Sequence, residues 1–121
     1  MQSEQLRDEI VRVLEDMKAE DIRVIDVREI TDFTDYMIIA SGTSDRHVAA
    51  VADRVADELR NKKQRPIGVE GKEHGEWVLL DFGDAVVHVM RPETRKFYDL
   101  EGLWSEEVAR LIKRQREQSA D

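Results

Sequence analysis

The 121-residue chain has the size of one domain, large enough to bury roughly two-thirds of the surface its unfolded form exposes without covalent staples. It has no cysteine, which excludes disulfides, thiolate metal sites and a Cys nucleophile, and no apolar run nears the roughly 18 residues of a membrane span. A net charge of −8 repels phosphate backbones at long range, which disfavours nucleic-acid binding as the main activity and favours a basic protein partner, although an acidic balance also simply keeps a chain soluble.

The N-terminus MQSEQLRDEI has the pattern of neither a signal nor a transit peptide, so the cytoplasm is the expected compartment. Ser3 is placed to cap a first helix in which Leu6, Ile10, Val13, Leu14 and Met17 form one apolar stripe, ending near Lys18. Residues 22–27 (IRVIDV) read as a strand, and residues 36–40 (YMIIA), apolar throughout, as a second strand buried on both faces and central in the sheet.

SGTSDR leads from that strand into a helix over residues 44–62 with the most regular stripe in the chain: Val48, Val51, Ala52, Val55, Ala56 and Leu59. A glycine turn entering a helix can hold an anion on free N–H groups. One glycine is too few for a dinucleotide or Walker loop, Ser44 as an ordinary cap explains the same residues, and Asp45 opposes an anionic ligand. The basic end NKKQR suits the helix dipole, and residues 66–69 (PIGV) read as a short third strand parallel to the second, since a helix connects them. GKEHG is a loop.

Residues 77–82 and 85–90 form a hairpin around Gly83 and Asp84, with Gly at the first loop position as a type II′ turn prefers. A two-residue loop pairs Phe82 with Ala85, Leu80 with Val87 and Val78 with Val89 on a wholly apolar face. The opposite face then sets Trp77 against Met90, Leu79 against His88 and Asp81 against Val86. Such a mixture of aromatic, aliphatic and anchoring polar groups fits a protein-binding patch, and equally fits a face covered by a helix. A three-residue loop would flip one strand and void the pairing.

Residues 91–94 (RPET) begin a turn or short helix. The run FYDLEGLW has no clean period, and its Tyr98, Asp99, Leu100, Glu101 and Trp104 fit either recognition of a partner or core filling. Ser105 begins a last helix, and residues 114–121 are expected to fray. The element order implies one α/β domain over residues 1–121, a mixed sheet of about five strands packed by the first two helices.

Catalytic signatures are weak. Asp81, Asp84 and His88 lie close on the hairpin, but Gly-Asp is ordinary turn chemistry, so no metal is expected. Ser41 or Ser44 with His47 lacks a nucleophile elbow, and His74 sits in a Gly-flanked loop.

In residues 35–55 (DYMIIASGTSDRHVAAVADRV), 75–90 (GEWVLLDFGDAVVHVM) and 97–104 (FYDLEGLW), the chain resembles the ribosomal silencing factors, or Iojap family, and the likeness runs over residues 21–111. The resemblance implies a nucleotidyltransferase-like fold without the acidic D-x-D metal pattern. It implies a non-enzymatic translation repressor, with no cofactor, that binds the large ribosomal subunit through large-subunit ribosomal protein fourteen and blocks joining of the small subunit. Together with the hairpin's mixed face, it makes Trp77, Leu79, His88, Tyr98 and Leu100 the expected apolar or aromatic contacts, with Asp81, Asp99 and Glu101 as partners for Lys or Arg. Two alternatives stay open: a degenerate nucleotidyltransferase binding a nucleotide at residues 41–46, and a homodimer using the same strip on itself off the ribosome.

Overall fold

In the computed structural model the structure describes residues 1–103 and Glu117, the side chains of Leu100 and Leu103 excepted. Five strands, β1 (Glu20–Asp26), β2 (Tyr36–Ser41), β3 (Gly68–Glu70), β4 (Trp77–Asp81) and β5 (Ala85–Met90), form one mixed sheet in the order β1-β2-β5-β4-β3. The expected α/β architecture is what the chain adopts.

Two amphipathic helices, α1 (Ser3–Asp16) and α2 (Asp45–Asn61), cover one face of the sheet. Leu6, Ile10, Val13 and Leu14 from α1 and Val48, Val51, Ala52, Val55 and Leu59 from α2 meet Tyr36, Ile38, Ala40, Val78, Leu80, Ala85, Val87 and Val89. Each fully buried aliphatic side chain contributes roughly 1.5–3 kcal/mol relative to exposure, so this single layer accounts for most of the apolar stabilisation. The helices' 3.6-residue stripes and the strands' alternation thus select the same core.

The hairpin pairs in the expected register, Trp77 opposite Met90, Leu79 opposite His88 and Asp81 opposite Val86. Its loop is Gly83-Asp84: Phe82 N–H donates to the Ala85 carbonyl, and Gly83 takes a left-handed φ of 84° that a side chain would strain. The Gly83 N–H also donates to Asp81 Oδ1 at 2.8 Å.

Three expectations change. Gln2, not Ser3, is the N-cap of α1, its own N–H donating to Gln5 Oε1, so Ser3 is already helical. The third strand is shorter, starting at Gly68; it runs in the same direction as β2 but pairs antiparallel with β4 at the far edge, because β5 and β4 insert between them. Finally, the first strand ends at Asp26 rather than residue 27, and Val27 with Ile30 packs on Met37 and Ile39, which partly covers the second face and gives β2 the burial on both faces that its apolar run predicts. The last helix expected from Ser105, the tail 114–121 and Trp104 lie outside the described residues.

Candidate functional site

The partly covered face becomes a site where β4 and β5 meet a short helix, α3 (Pro92–Tyr98). Pro92 at its first position sets a helical φ where no N–H partner is needed, and Asp99, left-handed at φ 46°, ends it. A four-residue turn of helix, α4 (Leu100–Leu103), follows.

Two side chains tie this segment down. Arg95, only 8% exposed, donates from Nη1 to Ser41 Oγ at 2.9 Å and from Nε to Glu101 Oε1. The guanidinium holds the Glu101 carboxyl below the usual carboxylate range, and Arg23 on β1 adds a second cation 3.6 Å away. Thr94 is also buried, and its hydroxyl donates to Glu76 Oε1 at 3.2 Å.

With α3 so placed, the Tyr98 ring packs against Trp77 at 4.9 Å between centroids, and Phe97 contacts Tyr98 edge-on at 5.1 Å. Phe97 is 81% exposed and Tyr98 54%. Trp77 and Leu79 are half-buried. The Trp77 indole N–H donates to His88 Nδ1 at 3.0 Å. His88 is itself 5% exposed, and burial pushes its imidazole down to about 4.

The expected site residues therefore divide. Trp77, Leu79 and Tyr98 share one accessible strip, with Asp81 half-buried and Asp99 exposed beside it. His88 is a correction: it lies beneath the strip and offers no surface. Glu101 is engaged internally by Arg95 and Arg23, and Asp99 Oδ1 accepts from the Gly102 N–H at 3.1 Å. Leu100 opens α4, its side chain outside the described ones. Sequence reasoning missed Phe97 as a surface group and Arg95 as the brace. Ser41, a hydroxyl closing a wholly buried strand, was the one signal that a donor had to arrive there.

The β2–α2 turn is occupied by its own hydrogen bonds. Ser44 Oγ caps α2 by accepting from the His47 N–H at 3.0 Å, the Thr43 N–H donates to His47 Nδ1 at 2.9 Å, and Asp45 pairs with Arg91 at 2.8 Å. These leave Thr43 and His47 N–H unavailable to a phosphate and add a carboxylate where an anion would sit. Among the described residues no group of three or more His, Asp or Glu could hold a metal ion.

Comparison with known proteins decides the lineage. The family described as ribosomal silencing factor during starvation matches residues 1–121. The chain belongs to the ribosomal silencing factor family. It is 46% identical over 94 residues to the ribosomal silencing factor of Chromobacterium violaceum, covering 78% of this chain and 77% of that one. It is 41% identical over 101 residues to the mouse protein named mitochondrial assembly of ribosomal large subunit protein 1, covering 81% of this chain and 44% of the longer relative. An X-ray crystal structure of a Chromobacterium violaceum protein superposes with a TM-score of 0.84 at 42% identity, over 86% of this chain and 87% of that one. The matching family and its Chromobacterium violaceum member are named for ribosome silencing rather than for an enzymatic activity.

Proposed function

We propose that this chain is a translation repressor that binds the large ribosomal subunit through the Trp77–Leu79–Tyr98 strip and blocks joining of the small subunit by occupying its space. The partner is a basic protein of that subunit, large-subunit ribosomal protein fourteen, with Asp99 and Asp81 meeting its Lys or Arg groups. Membership of a family named for ribosome silencing supports the reading, as does a relative named for large-subunit assembly.

The observation that carries it is the exposed aromatic group at Tyr98, packed at a tilt against Trp77 and continued by Phe97. Exposed aromatic side chains set in a fixed arrangement are what a binding hot spot needs, and flanking carboxylates steer cationic partners. A chain of net charge −8 approaches such a partner with long-range attraction.

The test is co-sedimentation with purified large subunits followed by addition of small subunits. Wild-type protein is expected to pellet with the large subunit and to lower the yield of joined ribosomes. Trp77→Ala or Tyr98→Ala should weaken pelleting at least tenfold, on the order of a lost hot-spot residue, with folding retained. Wild-type pelleting by both variants would refute the surface.

A further inference from the structure

We infer that His88 is a positioning residue for this strip: it acts through Trp77, setting the plane in which the indole meets Tyr98, and adds no surface of its own. The inference rests on the reading that the strip binds the large subunit.

The tautomer follows from donor chemistry. An indole Nε1–H can only donate, so His88 Nδ1, 3.0 Å away, must accept, and the proton of the neutral ring sits on Nε2. That Nε2 is buried and has no hydrogen-bond partner among the described residues. A buried donor without an acceptor costs about 1–3 kcal/mol. A leucine at position 88 would remove that cost, and Leu79, directly opposite, already supplies an aliphatic neighbour. Stability therefore does not explain the histidine, whereas the Trp77 bond does.

Trp77 needs such a bracket. It starts β4, pairs with Met90 and is half-buried, so β-pairing fixes its backbone but leaves the indole free to rotate about two side-chain torsions. The Nδ1 acceptor at 3.0 Å and the Tyr98 ring at 4.9 Å together select one orientation. Because burial pushes the imidazole down to about 4, the acceptor persists at neutral pH. Ordering an aromatic anchor before contact lowers the entropic cost of binding.

The variants are His88→Leu, which removes the acceptor; His88→Asn, whose Oδ1 restores one; Trp77→Phe, which removes the donor; and Trp77→Phe combined with His88→Leu. Large-subunit affinity and melting temperature are measured for each, and the Trp77 indole N–H resonance for wild type and the two His88 variants that keep Trp77. His88→Leu is expected to melt at or above wild type yet bind about five- to tenfold more weakly, the size of one lost hydrogen bond, with the indole resonance shifted and exchanging faster with water. His88→Asn should bind within about twofold of wild type. His88→Leu should add little in the Trp77→Phe background, since both remove the same interaction. An unmoved indole resonance in His88→Leu, additive losses in the double variant, or loss of folding in both His88 variants would each overturn the inference. Wild-type binding by Trp77→Ala would instead overturn the docking reading, while the resonance would still report whether His88 orients the indole.

Discussion

Arg95 of α3 and Ser41 at the end of β2 are 54 residues apart in sequence, and the Nη1–Oγ hydrogen bond between them, 2.9 Å long, fastens the helix that carries Tyr98 to the sheet. The same guanidinium bonds Glu101, so one buried cation holds both ends of the reversal at Asp99.

Arg95→Met keeps much of the stem's volume and removes every donor. Ser41 then loses its donor and Glu101 is left with Arg23 alone, which should lower stability by about 1–3 kcal/mol and release Tyr98 from Trp77. Urea unfolding and large-subunit pelleting check both effects. A stable variant with unimpaired pelleting would mean that α3 is held by packing alone.

His88 makes stability depend on pH in a defined window. Its imidazole ordinarily titrates near 6.5 and is pushed to about 4 in the folded protein, so between those values the unfolded chain binds the extra proton. The contribution is therefore fully present above about 6.5 and is lost as pH falls toward about 4, amounting to about 2 kcal/mol by about pH 5. Urea midpoints of wild type and His88→Leu across this window isolate it, because the carboxylates lose stability in both proteins alike. Parallel pH profiles would show that the imidazole does not titrate as its burial requires.

Leu80 is fully buried where the hairpin meets the helices. Leu80→Ala is expected to cost about 2–5 kcal/mol through lost burial and the cavity left behind. Denaturant unfolding reads this directly, and a loss below about 1 kcal/mol would mean that the surrounding layer collapses to fill the gap.

Gly71→Ala tests the loop that delivers the chain to Trp77. Gly71 has φ 86°, and an added Cβ would lie 2.0 Å from the Trp77 carbonyl oxygen. The left-handed conformation alone costs a side chain about 1–2 kcal/mol, and the carbonyl must also shift. The variant should melt lower and alter the Trp77 fluorescence, while Gly68→Ala, where a Cβ meets nothing within 4 Å, serves as the control.

The sequence made the hairpin legible because two local signals agree there, alternation along 77–90 and a Gly-Asp loop, and together they fix the register to the residue. Ser44 as a cap and the stripe of α2 were equally local. The place of β3 was not, since a helix connection gives direction but does not say how many strands will insert between its ends. Alternation likewise put His88 on the second face without revealing what covers it, because the Trp77 indole folds over it through a side-chain hydrogen bond that no periodicity encodes. Arg95 stayed hidden for a related reason: a cation in a short helix is ordinarily solvated, and only Ser41, far upstream, hinted otherwise.

The outer strand β1 has a consequence for how any second chain can approach. Its pairing slips between Glu20 and Arg23, Asp21 sits at φ 48°, and charged groups stand at Glu20, Asp21, Arg23 and Asp26. The opposite border, β3, offers three residues. Neither margin gives a long, regular ladder of unpaired amides onto which a foreign strand could zip. Whatever docks here must therefore meet the protein flat-on, reading side chains rather than backbone, which makes complex formation sensitive to single side-chain replacements and resistant to runaway sheet growth.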